Sequence, residues 1–120
     1  MMQRPTCLAT CATALLLLSF GAAQAREARC SITEGRRVTY SGPCDFSADG
    51  RGGSFSLASR RPQGSLLKEI SVLSVSMIAP GVADVRGLTS AGINSRWGEA
   101  RRSQRDPACW VGSDFQVCVW

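Results

Sequence analysis

The chain has 120 residues, a formal net charge of +5, six cysteines and no histidine. Its length suffices for one compact domain and is too short for two ordinary ones. The lack of histidine excludes the Ser-His-Asp, Cys-His and histidine-metal mechanisms, and the cysteine spacing fits no usual zinc pattern. We therefore expect neither a cofactor nor a metal ion.

The N-terminal segment is typical of a cleavable secretory signal peptide. Arg4 supplies a positive start, residues 8–23 are almost wholly apolar, and residues 23–25 read Ala-Gln-Ala, a small-x-small cleavage pattern. The apolar stretch is shorter than the roughly 18 to 20 residues that span a bilayer. We expect residues 1–25 to be a signal peptide and residues 26–120 to be one exported domain, periplasmic or secreted, without a transmembrane span.

Export changes the cysteine count, because two of the six cysteines lie in the signal segment. An even number of cysteines in an oxidising compartment predicts disulfides. The four that remain are Cys30, Cys44, Cys109 and Cys118. Four cysteines permit three connectivities, and we favour the pairs Cys30 with Cys44 and Cys109 with Cys118, because each pair brackets a predicted hairpin.

Export also lowers the net charge to +4, because Arg4 leaves with the signal segment. Apart from Lys68, every cation of the exported domain is an arginine, a residue that suits forked contacts to phosphate or carboxylate. A GC-rich genome, which favours arginine codons, would explain the excess of arginine over lysine equally well. A basic exported domain attracts anionic envelope polymers or acidic protein surfaces, and its location excludes cytoplasmic nucleic acid.

The first half of the exported domain predicts short β-strands separated by turns that contain glycine. Residues 30–33 and 36–41 are expected to pair across a two-residue turn, and Gly42-Pro43 then breaks the strand. The loop at residues 47–53 lacks the lysine and the helix of a phosphate loop, so we expect a flexible hairpin. Residues 54–59 follow as a strand whose apolar side chains alternate with serines.

The second half predicts a hairpin of residues 70–79 and 82–88 around Pro80-Gly81, a pair that fits the centre of a type II turn. A loop is expected at residues 89–95. Residues 96–105 fit either a strand or a helix. The segments 108–111 and 115–120 close the chain. About seven antiparallel strands result, enough for a small all-β barrel or a two-sheet sandwich with two disulfides.

Three sequence landmarks are distinctive: GPCDF at residues 42–46, GGSFSL at residues 52–57 and DPACWVGSDFQVCVW at residues 106–120. Together they resemble a group of small, exported, functionally uncharacterised proteins of Gram-negative bacteria. The resemblance covers most of the exported domain. It implies an exported β domain with two disulfides and no known reaction.

A further stretch of small residues, SAGINSRW at residues 90–97, bears a looser likeness to another family. It is similar to the loop of periplasmic lysozyme inhibitors of the MliC type, small exported β-barrels that insert an SGxxY-like loop into the lysozyme cleft. The tyrosine is missing at that spacing, so the inhibitory residues do not carry over. The likeness leaves lysozyme as an alternative partner.

Arginines are concentrated around Trp97. Guanidinium groups beside an exposed tryptophan can grip phosphates, acidic sugars or an acidic protein, because they form forked bonds and the indole adds stacking area. The alternative is that Trp97 packs in the core and its neighbours form a solvated charged face. The candidate binding surface comprises Arg86, Arg96, Trp97, Arg101, Arg102 and Arg105.

These observations favour a non-enzymatic exported binding domain that recognises an anionic envelope component or protein. One alternative is an inhibitor of lysozyme or another hydrolase, although two cationic proteins repel each other on encounter. The third is a small glycan-cleaving enzyme with paired carboxylates. The acids considered for that role are Asp45, Asp49, Glu99, Asp106 and Asp114.

Overall fold

A computed structural model describes residue 3, residues 25–61 and residues 64–120. The predicted signal peptide, residues 1–25, lies outside the described residues except at residues 3 and 25. The strands are β1 Arg26–Glu34, β2 Arg37–Ala48, β3 Phe55–Ala58, β4 Ile70–Ala79, β5 Val82–Thr89, β6 Asn94–Arg102, β7 Cys109–Val111 and β8 Phe115–Val119. Among the described residues, no helix is long and apolar enough to cross a membrane.

The eight strands form one closed antiparallel barrel in which each strand pairs with its neighbours in sequence and β8 returns to β1. Each strand therefore has a partner on both sides over at least part of its length, and closure of this kind protects the edges of the sheet. The all-β prediction and its barrel alternative are confirmed, with eight strands in place of about seven.

Connections at the two ends of the barrel carry different residues. The Arg102 end holds the β2–β3, β4–β5 and β6–β7 connections, at residues 49–54, 80–81 and 103–108. The Trp97 end holds the other four, at residues 35–36, 59–61 with 64–69, 90–93 and 112–114.

The barrel interior is filled by side chains from all eight strands, as an eight-stranded barrel is just wide enough to allow. The largest fully buried side chains are those of Trp110, Ile32, Leu57, Leu73, Val75, Val85 and Val117. Leu66 and Leu67, in the β3–β4 connection, are only 3% and 8% exposed and pack against this core. They cover part of the core at the Trp97 end of the barrel.

Both expected disulfides are present and bracket the closure between β1 and β8. Cys30–Cys44 joins β1 to β2 inside the barrel, with a Cα–Cα distance of 5.8 Å and no exposed surface on either residue. Cys109–Cys118 joins β7 to β8 at directly opposite register positions, with a Cα–Cα distance of 4.0 Å. Each bridge therefore ties one strand of the closing pair to its other neighbour.

β2 runs unbroken through Gly42 and Pro43, where the sequence predicted a break. Pro43 lies opposite Arg29 of β1, and Arg29 exchanges both of its backbone hydrogen bonds with Trp120, on the side away from β2. The Pro43 nitrogen therefore also points away from β1. On that side β3 begins to pair only at Asp45, so no ladder bond is lost.

β6 resolves the choice between strand and helix for residues 96–105: residues up to Arg102 are a strand, which begins at Asn94. The predicted loop at residues 89–95 shortens to a turn at residues 90–93. Between Arg86 and Val85 of β5 the register shifts by one residue. Trp97 is the extra residue of this β-bulge, and bulges of this kind re-aim a side chain.

We predict that the variant C30A/C44A loses about 3 kcal/mol of unfolding free energy, because the bridge restricts the unfolded chain over a loop of this size and its sulfurs fill the core. Chemical denaturation of the oxidised protein, expressed from the full-length chain, measures the loss. The control C7A/C11A should match the wild type, since both cysteines lie in the predicted signal peptide. A loss below about 1 kcal/mol for C30A/C44A would contradict the structural role of the bridge.

Candidate functional site

Three of the predicted binding arginines lie on the outer wall of β5 and β6 and face carboxylates. Arg86 Nε donates to Asp84 Oδ2 at 3.0 Å, and Arg96 Nε donates to Asp84 Oδ1 at 2.8 Å. Arg101 lies 3.4 Å from the Glu99 carboxylate. Much of the positive charge on this wall is therefore compensated locally, which weakens its attraction for an anionic ligand.

Trp97 is separated from the arginines that follow it in β6. The β-bulge turns its indole toward the barrel end, where it packs edge-to-face on Phe115 with ring centroids 5.7 Å apart. Its Nε1 approaches Gly87, where an added Cβ would lie only 2.9 Å from that nitrogen. Trp97 is half-buried and packs against the core, in agreement with the alternative that its indole is mainly a packing residue.

Arg102 and Arg105 lie at the opposite end of the barrel from Trp97. The Arg102 guanidinium stacks over the Trp110 ring, with its carbon 4.9 Å from the ring centroid. Arg105 is exposed in the β6–β7 connection, where its backbone N–H donates to Ser103 Oγ. The structure thus divides the six predicted binding residues between the outer wall and both ends.

The Arg102 end carries a pocket of about 640 Å³. Its described lining contains two arginines and no carboxylate, together with an apolar floor. The residues that form it include Arg51, Gly53, Met77, Pro80, Arg102 and Trp110. This combination of uncompensated guanidinium groups and apolar surface makes the pocket the strongest candidate site in the described part of the chain.

The local sequence explains how this pocket forms. Gly53 has a φ of 89°, which favours glycine, and a Cβ there would lie 3.6 Å from the Met77 side chain, so the β2–β3 connection packs closely over β4. The Arg102 N–H donates to the Gly81 carbonyl at 2.9 Å, which ties the β4–β5 turn to the end of β6. Arg51, in the β2–β3 connection, lines the same pocket as Arg102.

A second stacked arginine adds to the positive charge of this end. The Arg26 guanidinium carbon lies 4.4 Å from the centroid of the Phe46 ring, and Phe46 stacks in turn on Phe55 at 5.1 Å. Stacking on an aromatic face orients a guanidinium group without using its N–H donors. Both stacked arginines therefore keep donors available for a ligand.

The Trp97 end differs in charge. Two smaller pockets, of about 270 and 410 Å³, share Glu34 and Trp97 in their linings. Arg96 and Asp114 line the first, and Lys68 lines the second with Glu69. Acidic and basic groups are mixed in these two pockets. A third pocket at this end, of about 330 Å³, is lined by Arg61 and Lys68 and by no described carboxylate. It differs from the pocket at the Arg102 end because neither of its cations stacks on an aromatic ring among the described residues.

Most of the carboxylates considered for glycan cleavage are held by protein groups. Asp45 receives a bond from Arg60 at 2.8 Å, Asp49 one from Ser56 at 2.6 Å, and Asp106 one from the Trp120 indole at 3.2 Å. Asp114 lines a pocket with Glu34, a residue that sequence reasoning did not consider. Within residues 25–61 and 64–120, no three carboxylate or thiol groups come together as a metal site requires.

The stretch compared with the inhibitor loop is a tight turn followed by strand. Gly92 N–H donates to the Thr89 carbonyl at 2.9 Å, and Ile93 N–H donates to the Thr89 hydroxyl at 3.0 Å. Trp97 then lies in the barrel wall against Phe115. The stretch compared with the inhibitor loop is thus a four-residue turn, residues 90–93, followed by a strand.

Sequence reasoning missed Arg51 and Trp110 as site residues. Arg51 lies between glycines in a loop compared above only with phosphate loops, and Trp110 is a core residue that is only 2% exposed. The available signal was an arginine flanked by Gly50 and Gly52, since such a loop can approach the barrel mouth closely. No family model, curated protein or solved structure matches the chain.

We predict that Asp84→Asn lowers the unfolding free energy by about 1 kcal/mol at low salt, because it removes two ion pairs and leaves Arg86 opposite Arg96. The loss should shrink in high salt. Denaturant unfolding at two salt concentrations measures both effects. Glu99→Gln is the control and should not lower stability, since its contact with Arg101 is long and exposed and it lies directly opposite the Asp84 carboxylate. An unchanged stability for Asp84→Asn would show that Asp84 does not compensate these arginines.

Proposed function

We propose that this protein is an exported, non-enzymatic binding domain that recognises an anionic component of the cell envelope through the Arg102 end of its barrel. One observation carries the proposal: the pocket at this end is lined by Arg51 and Arg102 and by no carboxylate among the described residues. Phosphate and carboxylate groups are the ligands that guanidinium groups bind best.

The stacking of Arg102 on Trp110 supports this role. A guanidinium group held over a ring loses less further side-chain entropy when it binds, because its position is already restricted. The contact with the ring face uses none of its N–H donors, which can form a forked pair of bonds with one phosphate or carboxylate. Arg51 supplies a second positive group in the same pocket.

The proposal moves the binding site from the wall to the end of the barrel. Of the six residues predicted from the sequence, Arg102 lines the pocket, whereas Arg86 and Arg96 share the Asp84 carboxylate. An anion on the outer wall would have to compete with that carboxylate for both guanidinium groups. At the Arg102 end it meets no such competitor among the described lining residues.

A periplasmic or secreted location forms part of the proposal. It is supported by the signal-peptide pattern of residues 1–25 and by two disulfides, which are compatible with an oxidising compartment. Anionic polymers of the envelope are accessible to a protein in that compartment. A net charge of +4 after removal of the signal segment would favour the encounter.

We predict that the oxidised protein binds inorganic polyphosphate, used as a soluble model of a phosphate-bearing polymer, and that R51Q/R102Q weakens binding by at least about tenfold. Affinity should fall steeply between about 50 and about 500 mM NaCl. Titration calorimetry measures the affinities, with neutral dextran as the ligand control.

The matched control variant is R86Q/R96Q, which removes the same number of charges from the outer wall. It should bind polyphosphate nearly as well as the wild type. Equal losses for the two double variants would indicate attraction by net charge alone, and a salt-independent affinity would refute an electrostatic site.

A further inference from the structure

The β4–β5 turn presents an apolar tip to solvent at the Arg102 end. Ile78 is 59% exposed, and Ala79 and Pro80 beside it are exposed as well. A register shift between Met77 and Ala79 makes Ile78 the extra residue of a β-bulge, while Met77 packs against the core. An exposed isoleucine at a hairpin tip gains free energy only when a partner removes it from water.

Positive groups surround this tip. Ala79 and Pro80 line the same pocket as Arg51 and Arg102. Arg101 pairs with Val82, the first residue after the turn, so its side chain emerges beside the hairpin. The tip therefore combines apolar side chains at its apex with arginines at its base.

The nearby acids do not offset these arginines fully. The Asp49 carboxylate accepts a bond from Ser56, and the Asp106 carboxylate accepts bonds from the Ala108 N–H and the Trp120 indole. Glu99 lies 3.4 Å from Arg101 alone. These bonds orient the carboxylates without removing their charge, but Arg26 and Arg105 lie at the same end. Arginines therefore outnumber acids there, and the net positive charge complements an anionic partner.

We infer that the Arg102 end docks on an anionic lipid surface, with the tip at residues 78–80 among the acyl chains and headgroups, and with Arg51 and Arg102 on the lipid phosphates. This inference rests on the proposed function and names the partner. A soluble polyanion would satisfy the arginines and leave Ile78 in water. A lipid surface accommodates both features. The apolar tip can enter the acyl-chain region, and the arginines around it can contact the headgroup phosphates.

The opposite end offers an internal comparison. Ile93, in the β5–β6 turn at the Trp97 end, is 63% exposed, so the two ends expose one isoleucine each to a similar degree. The Ser90 N–H of the same turn donates to the Glu69 backbone carbonyl, so an acidic residue lies next to the turn. Two pockets at this end contain Glu34, Glu69 and Asp114 together with Arg96 and Lys68. These carboxylates would repel lipid phosphates, so exposure of an isoleucine alone does not create the proposed surface.

The test is sedimentation with vesicles of phosphatidylcholine that contain about one quarter phosphatidylglycerol, compared with pure phosphatidylcholine. The wild type should bind only the anionic vesicles. Replacement of Arg51 or Arg102 by glutamine should weaken binding about fivefold each, and Ile78→Ser about tenfold, because its exposed surface no longer gains from burial. The matched controls Ile93→Ser and Arg36→Gln, both at the Trp97 end, should bind as the wild type does.

The same variants titrated with inorganic polyphosphate separate the two levels of the proposal. Ile78→Ser should keep its affinity for polyphosphate while it loses vesicles. Wild-type vesicle binding by Ile78→Ser, or an equal loss in Ile93→Ser, would overturn the lipid inference and leave the anion site standing. Failure of the wild type to bind either ligand would overturn both. Thermal melting confirms that each variant is folded, which the exposure of Ile78 and Ile93 favours.

Discussion

Closure of the barrel by the pairing of β1 with β8 is the constraint from which the other features follow. Arg29 and Trp120 exchange both backbone hydrogen bonds at this seam, and a disulfide ties each closing strand to its other neighbour. Once the sheet is closed, each strand has a partner on both sides and apolar side chains fill the interior. Ligand-binding groups can then lie only on the outer wall or at the two ends.

Local pairing of charges decides which of these surfaces can bind an anion. Arg86 and Arg96 lie on the outer wall, but the Asp84 carboxylate accepts a hydrogen bond from each of them. At the Arg102 end, arginines stack on aromatic rings, a contact that orients the group without neutralising it. The net charge of the protein does not distinguish these two sets of arginines. The groups that surround them do, because the arginines of the wall face a carboxylate and those of the Arg102 end face aromatic rings.

The regular alternation of apolar and polar residues made much of this fold predictable from the sequence. The hairpin around Pro80-Gly81 follows from apolar residues at every second position and from a turn pair with defined φ preferences, and it is confirmed. The β-bulge in β6 could not be predicted from the alternation of apolar and polar residues. Gly98 and Ala100 face inward, and strict alternation would put Arg96 inside and Trp97 outside. One extra residue reverses both.

The most direct measurement is a nuclear magnetic resonance titration of 15N-labelled protein with inorganic polyphosphate, observed at arginine side chains and tryptophan indoles. We predict that the Arg102 guanidinium and the Trp110 indole signals move together with increasing ligand, because they form one stacked pair in the pocket. The Trp97 indole and the Arg96 guanidinium should stay in place. Movement of Trp97 and Arg96 with an unmoved Arg102 would place the site at the other end of the barrel and contradict the proposed function.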